Sequence, residues 1–318
     1  MTTESARPLV VITESLDQDW LSWLAQRCHV KSMSTDAPQF NTLAPQVQGL
    51  IVRTYTRVDS ALLDRLPELR VVARAGVGLD NINVPACRAR GVEVVFTPGA
   101  NIRAVVELVT ALLLEAVRPR VHLSQALDPK TWKTRRTELI AHRQLSDMTL
   151  GILGLGRVGK AIARIGAAFD MRVQYHDLIE IDPSERCGAE PVDWMTLATT
   201  SDVLSLHVDN RPDNRHLINA DALAHMRENV ILINTSRVFV VDAAALSNWL
   251  TQHPSAMAIL DVHDPEPFSD SYPLLCNSNA RLTPHIGAAT ATAHRNMSSV
   301  VEDVLRVLTG ERPCFPAP

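Results

Sequence analysis

Only five cysteines occur among the 318 residues, and Cys28, Cys87, Cys187, Cys276 and Cys314 are widely spaced with no Cys-x-x-Cys pair. An odd, scattered set excludes a disulfide framework and points to reduced thiols in a cytoplasmic protein; no metal site is read from them. No apolar run follows a basic start at the N-terminus, so no secretory signal is expected. Nor does any uninterrupted apolar stretch reach the roughly 18 residues of a membrane helix, which excludes a membrane partner. An excess of basic charge is lacking too. With 31 Lys and Arg against 35 Asp and Glu, the formal net charge is -4, and a nucleic-acid partner, which needs a concentrated basic surface, is not expected. Repeats and low-complexity segments are absent from the sequence.

What remains is a globular composition, 46% hydrophobic and 21% charged, long enough for two domains with separate cores. Short β-branched runs alternate with amphipathic stretches, the pattern of an α/β chain with mainly parallel sheets. Strands are expected at Leu9–Ile12, Gly49–Arg53, Val71–Arg74 and Val92–Phe96, with helical patterns at Asp17–Arg27 and Ala61–Leu66. After the break at Pro98-Gly99, one long helix is expected over Ile102–Leu123. A polar, linker-like segment, Asp128–Ser146, follows, in which Trp132 suggests packing against something. Six further strands are expected at Thr149–Leu153, Arg172–His176, Val203–His207, Val230–Asn234, Ala256–Leu260 and Ala280–Thr283, and a last helix over Thr290–Leu308. Six strands with intervening helices are what a dinucleotide-binding unit requires.

The strand at Thr149–Leu153 runs into Gly154-Leu155-Gly156-Arg157-Val158-Gly159, and a helical pattern, Lys160–Ala168, follows at once. In such a Gly-x-Gly-x-x-Gly loop the first glycine allows the tight turn, the second lets a pyrophosphate approach the backbone, and the third lets helix and strand pack closely. The pyrophosphate then meets free N–H groups at a helix N-terminus, where the helix dipole favours negative charge. The next strand ends at Asp177, placed to accept hydrogen bonds from the adenosine ribose. A carboxylate there repels a 2′-phosphate and no arginine adjoins it in Leu178-Ile179, so NAD is expected in preference to NADP.

Moving a hydride to or from a secondary alcohol requires a proton carrier and a cation for the substrate's carboxylate or carbonyl, both beyond the carboxyl ends of strands. Three residues stand there: Arg237 in Asn234-Thr235-Ser236-Arg237, Glu266 in Asp261-Val262-His263-Asp264-Pro265-Glu266, and His285 in Thr283-Pro284-His285. Singly, each also reads as a surface charge, a loop cap or a core histidine. Their shared placement after a dinucleotide loop makes them candidates.

These motifs, together with Val52-Arg53-Thr54, Arg74-Ala75-Gly76-Val77-Gly78-Leu79-Asp80-Asn81, Thr97-Pro98-Gly99-Ala100-Asn101, Glu107-Leu108-Val109 and Thr283-Pro284-His285-Ile286-Gly287, cover nearly the whole chain. Their ordered set resembles the D-isomer-specific 2-hydroxyacid dehydrogenases, in particular the 3-phosphoglycerate dehydrogenase-like branch. The resemblance implies two doubly wound, Rossmann-like or flavodoxin-like domains. A cofactor domain (99–286) would be inserted into a discontinuous substrate domain (1–98 and 287–318), with hinges near Pro98 and Pro284 and closure that excludes water.

It further implies that His285 is the general acid/base, that Glu266 holds its other ring nitrogen, and that Arg237 binds the substrate carboxylate with N–H groups of the Ala75–Gly78 loop, Val77 and Gly78 among them. Arg53 and Asn101 would line the substrate side, and Arg53 and Arg74, beside the carboxylate loop, could pair with a second anionic group. Gly154, Gly156, Arg157, Val158, Gly159, Asp177, His207, Val208, Thr235, Ser236, Asp261 and Gly287 would contact the cofactor, with Asp261 orienting the nicotinamide carboxamide. Members are typically homodimers. The sequence ends at Pro318, short of the C-terminal regulatory domains of longer relatives, so serine feedback through them is not expected.

Two departures bear on substrate choice. Val238-Phe239 stand directly after Arg237, where the family has glycine, and would narrow the pocket or shift the loop; Phe96 replaces a small polar residue before Thr97. The substrate reading therefore stays at a small 2-hydroxy or 2-oxo acid of the 3-phosphoglycerate, hydroxypyruvate or glyoxylate type. The alternatives are a phosphite- or formate-type dehydrogenase, or an NAD-sensing corepressor on the same scaffold.

Overall fold

Runs such as Val203–Leu206 and Ile231–Asn234, apolar but for Ser205 and Asn234, are buried along their whole length, the mark of strands covered on both faces and hence of parallel sheets. The computed structural model describes residues 7–118 and 120–318. The chain divides into two units, residues 1–103 with 288–318, and 104–287. These boundaries lie close to, but not at, the breaks expected at 98 and 287.

The first unit contains β1 (Leu9–Ile12), β2 (His29–Ser32), β3 (Val47–Val52), β4 (Val71–Arg74) and β5 (Glu93–Phe96). They form one sheet in the order β2-β1-β3-β4-β5, every pair parallel. This is the flavodoxin-like doubly wound order. Val10, Ile12, Ile51, Val71 and Val95 pack one face against Val300, Val301 and Val304 of the C-terminal helix, while Val11, Leu50, Val52 and Val72 pack the other around Phe40, Leu62 and Leu66.

The second unit contains β6 (Thr149–Leu153), β7 (Arg172–His176), β8 (Glu190–Pro191), β9 (Val203–Leu206), β10 (Ile231–Asn234), β11 (Met257–Leu260) and β12 (Ala280–Leu282). Their order, β12-β11-β10-β9-β6-β7-β8, is all parallel and reverses between β6 and β9. Ligands of such sheets bind outside the carboxyl ends of the strands at that reversal.

Most helices begin at a short polar side chain that accepts from the first turn: Asp17, Asp59, Asn83, Asp128, Asp193, Asn219, Asp242 and Thr290 all do so. The helix Arg157–Ala168 differs, because its cap is Gly156.

The two-domain α/β architecture is as expected, with local differences. β2 and β8 were not anticipated. The long helix ends at Val117 rather than Leu123. The segment 128–146 holds a helix, Pro129–Glu138, with no buried residue, and Trp132 is 50% exposed rather than packed within the chain. The C-terminal helix is two helices, Ala291–Ser298 and Val301–Thr309. At the break the Ser298 and Ser299 hydroxyls bond back to the His294 and Asn296 carbonyls. An apolar pattern that continues across the break conceals it.

Candidate active site

In the second unit all the candidate residues lie at the carboxyl edge of the seven-stranded sheet. The glycine loop follows β6. Gly154 has φ +92°, and a Cβ there would lie 2.7 Å from the His207 carbonyl oxygen. A Cβ on Gly159 would lie 2.2 Å from the Gly154 carbonyl oxygen, so helix and loop touch only because no side chain intervenes. Gly156 is different: a Cβ there would meet nothing within 4 Å. The open space lies over the N-terminus of Arg157–Ala168, where N–H groups lack helical partners and no capping side chain competes.

Asp177, after β7, accepts the Leu155 N–H through Oδ2 at 2.7 Å and the Ile179 N–H through Oδ1 at 3.2 Å. The ribose candidate therefore also braces the glycine loop. One basic group near it is not apparent from adjacency in sequence. Arg211, from the loop after β9, is bound twice by Asp209 at 2.7 and 2.8 Å. Its pKa is raised by that hydrogen bond, by the Asp209 charge and by Asp177.

His207 and Val208 follow β9 against the glycine loop. The His207 ring meets the Ser205 hydroxyl at 2.9 Å, and loss of hydration pulls its pKa down to about 4, so it is a neutral, uncharged wall. After β10, buried Asn234 shapes the turn that presents Arg237. Its Oδ1 accepts from the Ser236 N–H and hydroxyl, and its Nδ2 donates to the Arg237 carbonyl at 3.1 Å. The Thr235 hydroxyl is buried without a hydrogen-bond partner among the described residues. Phe239 is partly buried against the core cluster that includes Leu246, Leu250 and Leu260.

The acid–base candidates come from the last two strands. Glu266, beyond β11, accepts the His285 Nδ1–H through Oε2 at 2.7 Å and the His263 backbone N–H through Oε1 at 2.8 Å. Burial pushes the Glu266 pKa up, but the hydrogen bonds from His285 and His263 outweigh it and the net shift is downward. The same bond raises the pKa of His285; burial opposes it, the Glu266 and Asp261 charges reinforce it, and Arg237 opposes it. With Nδ1 engaged, Nε2 is the ring nitrogen left for a substrate, on a side chain that is 48% exposed.

His285 itself has φ +52°. Fully buried Asp261 holds the turn around it, with Oδ1 accepting from the Thr283 hydroxyl at 2.6 Å and the Ile286 N–H at 2.8 Å, and Oδ2 from the Gly287 N–H at 2.7 Å. This bracing role of Asp261 was not foreseen, since it depends on register between β11 and β12.

In the first unit Arg53, Arg74, Val77 and Gly78 lie at the carboxyl ends of β3 and β4, where Val52 pairs with Arg74. The Arg74 guanidinium turns back, donating to the Ala75 carbonyl at 3.0 Å and lying where a Cβ on Gly76 would fall. The Val77 and Gly78 N–H groups make no hydrogen bond to another backbone group among the described residues. Asn101 lies in the turn after β5. Glu14 was not anticipated: its carboxylate accepts the N–H groups of Arg53, Thr54, Tyr55 and Thr56 at 2.8–3.2 Å.

The second-unit residues fit a dinucleotide. An open, uncapped helix start suits a pyrophosphate, Asp177 suits a ribose, and the orphaned Thr235 hydroxyl has hydrogen-bonding capacity left for a ligand. No helix among the described residues is long and apolar enough to cross a membrane, and no cluster of three or more potential metal-ligating side chains occurs among them.

Comparison with known proteins agrees with this arrangement. Residues 110–287 match the family model of the NAD binding domain of D-isomer specific 2-hydroxyacid dehydrogenases. The chain is 33% identical to a hydroxypyruvate reductase of Thermotoga maritima over 95% of this chain and 99% of that protein. It is 36% identical to the D-3-phosphoglycerate dehydrogenase of Mycobacterium tuberculosis over 96% of this chain, but spans only 57% of that protein's length. Among solved structures, the D-lactate dehydrogenase of Aquifex aeolicus complexed with NAD and lactic acid is similar, with a TM-score of 0.81 and 25% identity over 95% of this chain and 96% of that one.

Proposed function

The chain belongs to the D-isomer specific 2-hydroxyacid dehydrogenase family, and from that premise we propose that it is an NAD-dependent oxidoreductase acting on a small D-2-hydroxy acid or the matching 2-oxo acid. The observation that carries the reading is the 2.7 Å bond between Glu266 and His285 at the carboxyl edge of a dinucleotide-type sheet. NAD, when bound, supplies or accepts the hydride at its nicotinamide ring.

The side chains of this protein handle the proton and the charge. In reduction, protonated His285 gives its Nε2 proton to the 2-oxygen; in oxidation, the neutral ring takes it back. Glu266 fixes the ring through Nδ1 and stabilises the imidazolium, so His285 remains protonated to a higher pH than an ordinary histidine. Arg237, on its Asn234-shaped turn, binds the substrate carboxylate. In the first unit, Arg53, Arg74, Val77, Gly78 and Asn101 are assigned to substrate recognition. The substrate class is that of the relatives: 3-phosphoglycerate, hydroxypyruvate or glyoxylate.

We also assign the working form as a homodimer in the cytoplasm. The segment 121–140 supports the first point, because Val121, Leu123, Trp132, Leu139 and Ile140 are all exposed apolar side chains near a helix that buries nothing within its own chain. Five unpaired cysteines suit the second.

The test is a panel of 2-oxo acids with NADH, followed at the nicotinamide absorbance. Steady oxidation of NADH by at least one of them is expected, and absence of turnover across the panel rules the enzyme reading out. Turnover is the necessary measurement, since a protein that only senses NAD would bind the cofactor equally well.

A further inference from the structure

The loop that carries Glu266 buries a second histidine with no role in the chemistry above. His263 is 2% exposed, boxed edge-on by Phe268 at 4.8 Å and Tyr272 at 5.6 Å between ring centroids. An aromatic box of this kind would take a phenyl ring as readily, so the imidazole's polar atoms call for a reason. Nε2 lies 2.9 Å from the Thr283 carbonyl, which can only accept, so Nε2 carries a hydrogen. Nδ1 faces the Tyr272 hydroxyl at 3.4 Å.

The Thr283 carbonyl also accepts the His285 backbone N–H at 2.9 Å, closing the tight turn about Pro284 that presents the His285 ring. At its other end, His263 donates its own backbone N–H to Glu266 Oε1 at 2.8 Å. One residue therefore grips both partners, the carboxylate through its main chain and the His285 turn through its side chain.

We propose that His263 is a positioning residue that sets the spacing between the Glu266 loop and the His285 turn, so that the Nδ1–Oε2 bond is formed before substrate arrives. The proposal rests on the acid–base reading of Glu266 and His285. Preorganisation of this kind matters because a misplacement of a fraction of an ångström in a proton carrier costs rate. Within the second unit the charged groups facing His285 are Glu266, Asp261 and Arg237, and the titratable groups around His263 are Glu266, the neutral Tyr272 and, beside the tyrosine, Asp264. Of these, the Glu266 hydrogen bond contributes most to the raised pKa of His285. Loosening the grip should therefore let that pKa fall.

His263→Phe fills the aromatic box without a donor, whereas His263→Gln places an amide N–H near the position of Nε2. In full-length protein labelled with 15N-histidine, the His285 titration is followed by NMR, its resonance identified by loss in His285→Gln. Expected are a lower titration midpoint in His263→Phe, a matching shift of the alkaline limb of 2-oxo acid reduction to lower pH, and a fall in kcat of about tenfold, short of the hundredfold or more for outright loss of the acid/base. KM and NADH affinity should hold, and His263→Gln should restore the midpoint.

A wild-type midpoint in His263→Phe, or equal displacement in both variants, overturns the proposal. Should His263→Phe fail to fold, His263→Asn, whose amide stops short of Thr283, takes its place beside His263→Gln. A lowered midpoint in His263→Asn alone then supports the positioning role, and an unmoved or equally moved one overturns it. The titration needs no substrate, so it judges the positioning role even where the substrate panel defeats the dehydrogenase reading.

Discussion

At the carboxyl edge of the five-stranded sheet, the N–H groups of Arg53 to Thr56 converge on an anion that the protein itself supplies, the Glu14 carboxylate. Arg74 likewise turns onto its own main chain. At the carboxyl edge of the seven-stranded sheet the same kinds of group are left open. The helix after Gly156 has no capping side chain, the space above Gly156 is empty of protein, and the Thr235 hydroxyl lacks a partner among the described residues. Both places use backbone N–H groups to meet negative charge, but the Arg53–Thr56 loop meets it in folding, whereas the helix start after Gly156 keeps it for a ligand. Leaving a donor unsatisfied costs stability, which is why such groups mark where the chain is shaped for a ligand rather than for its own fold.

The largest effect expected at the open edge comes from His285→Gln, which removes the proton carrier. The rate of reduction should fall by about 10²–10⁴-fold with NADH binding intact, as measured by kcat beside cofactor fluorescence titration. A variant that turned over normally would remove His285 from the mechanism. Glu266→Gln sharpens the point through pH. Reduction needs protonated His285, so its rate declines as pH rises through the raised pKa. Without the carboxylate that raises it, the decline should begin at lower pH, and an unmoved profile would show that Glu266 does not act through His285.

A smaller effect is expected at Asp177. Because its Oδ2 also holds the Leu155 N–H, Asn is the informative replacement: it keeps an acceptor for the loop and removes the charge. Asp177→Asn should improve the ratio of NADP to NAD efficiency by roughly tenfold or more, as like-charge repulsion of a 2′-phosphate is relieved and Arg211 loses one of its three carboxylate neighbours. An unchanged ratio would contradict the ribose contact.

The two edges also differ in how far the sequence disclosed them. The glycine loop, Asp177 and Arg237 were legible as candidates because each closely follows a strand with buried residues, whereas Glu266 and His285 stand in loops after β11 and the partly buried β12 and were legible through their motifs. The strand β2 was not, since His29-Val30-Lys31-Ser32 lies at the sheet edge, mostly exposed, with one apolar residue. The two-residue β8 ends in proline for the same positional reason. Glu14, the bracing role of Asp261, and His263 escaped because their partners are 39 to 42, 22 to 26 and, for the His263 side chain, 9 and 20 residues away. Only the packing of strands in register brings those groups within bonding distance. Arg211 escaped by the same logic: no basic residue adjoins Asp177 along the chain, and its neighbour arrives from the loop after β9, two strands away in the sheet.

Glu14 offers the mildest test, and the one that bears most directly on the filled edge. Burial pushes its pKa up, but the four backbone donors outweigh burial and the net shift is downward. A carboxyl group whose pKa is lowered by folding stabilises the native state above its unfolded pKa, and that contribution disappears as pH falls through the lowered folded value. Glu14→Gln replaces one acceptor oxygen by an amide that cannot accept, leaving some of the Arg53–Thr56 donors unmatched at a cost of about 1–2 kcal/mol near neutral pH. The difference in thermal stability between the two proteins should therefore be greatest at neutral pH and close in acid. As the change lies in the first unit's loop, KM for the 2-oxo acid should rise modestly, through Arg53, while NADH affinity holds. Equal stability of the two proteins at neutral pH would mean that the carboxylate is an incidental occupant of the loop, and the contrast between a filled edge and an open one would lose its first half.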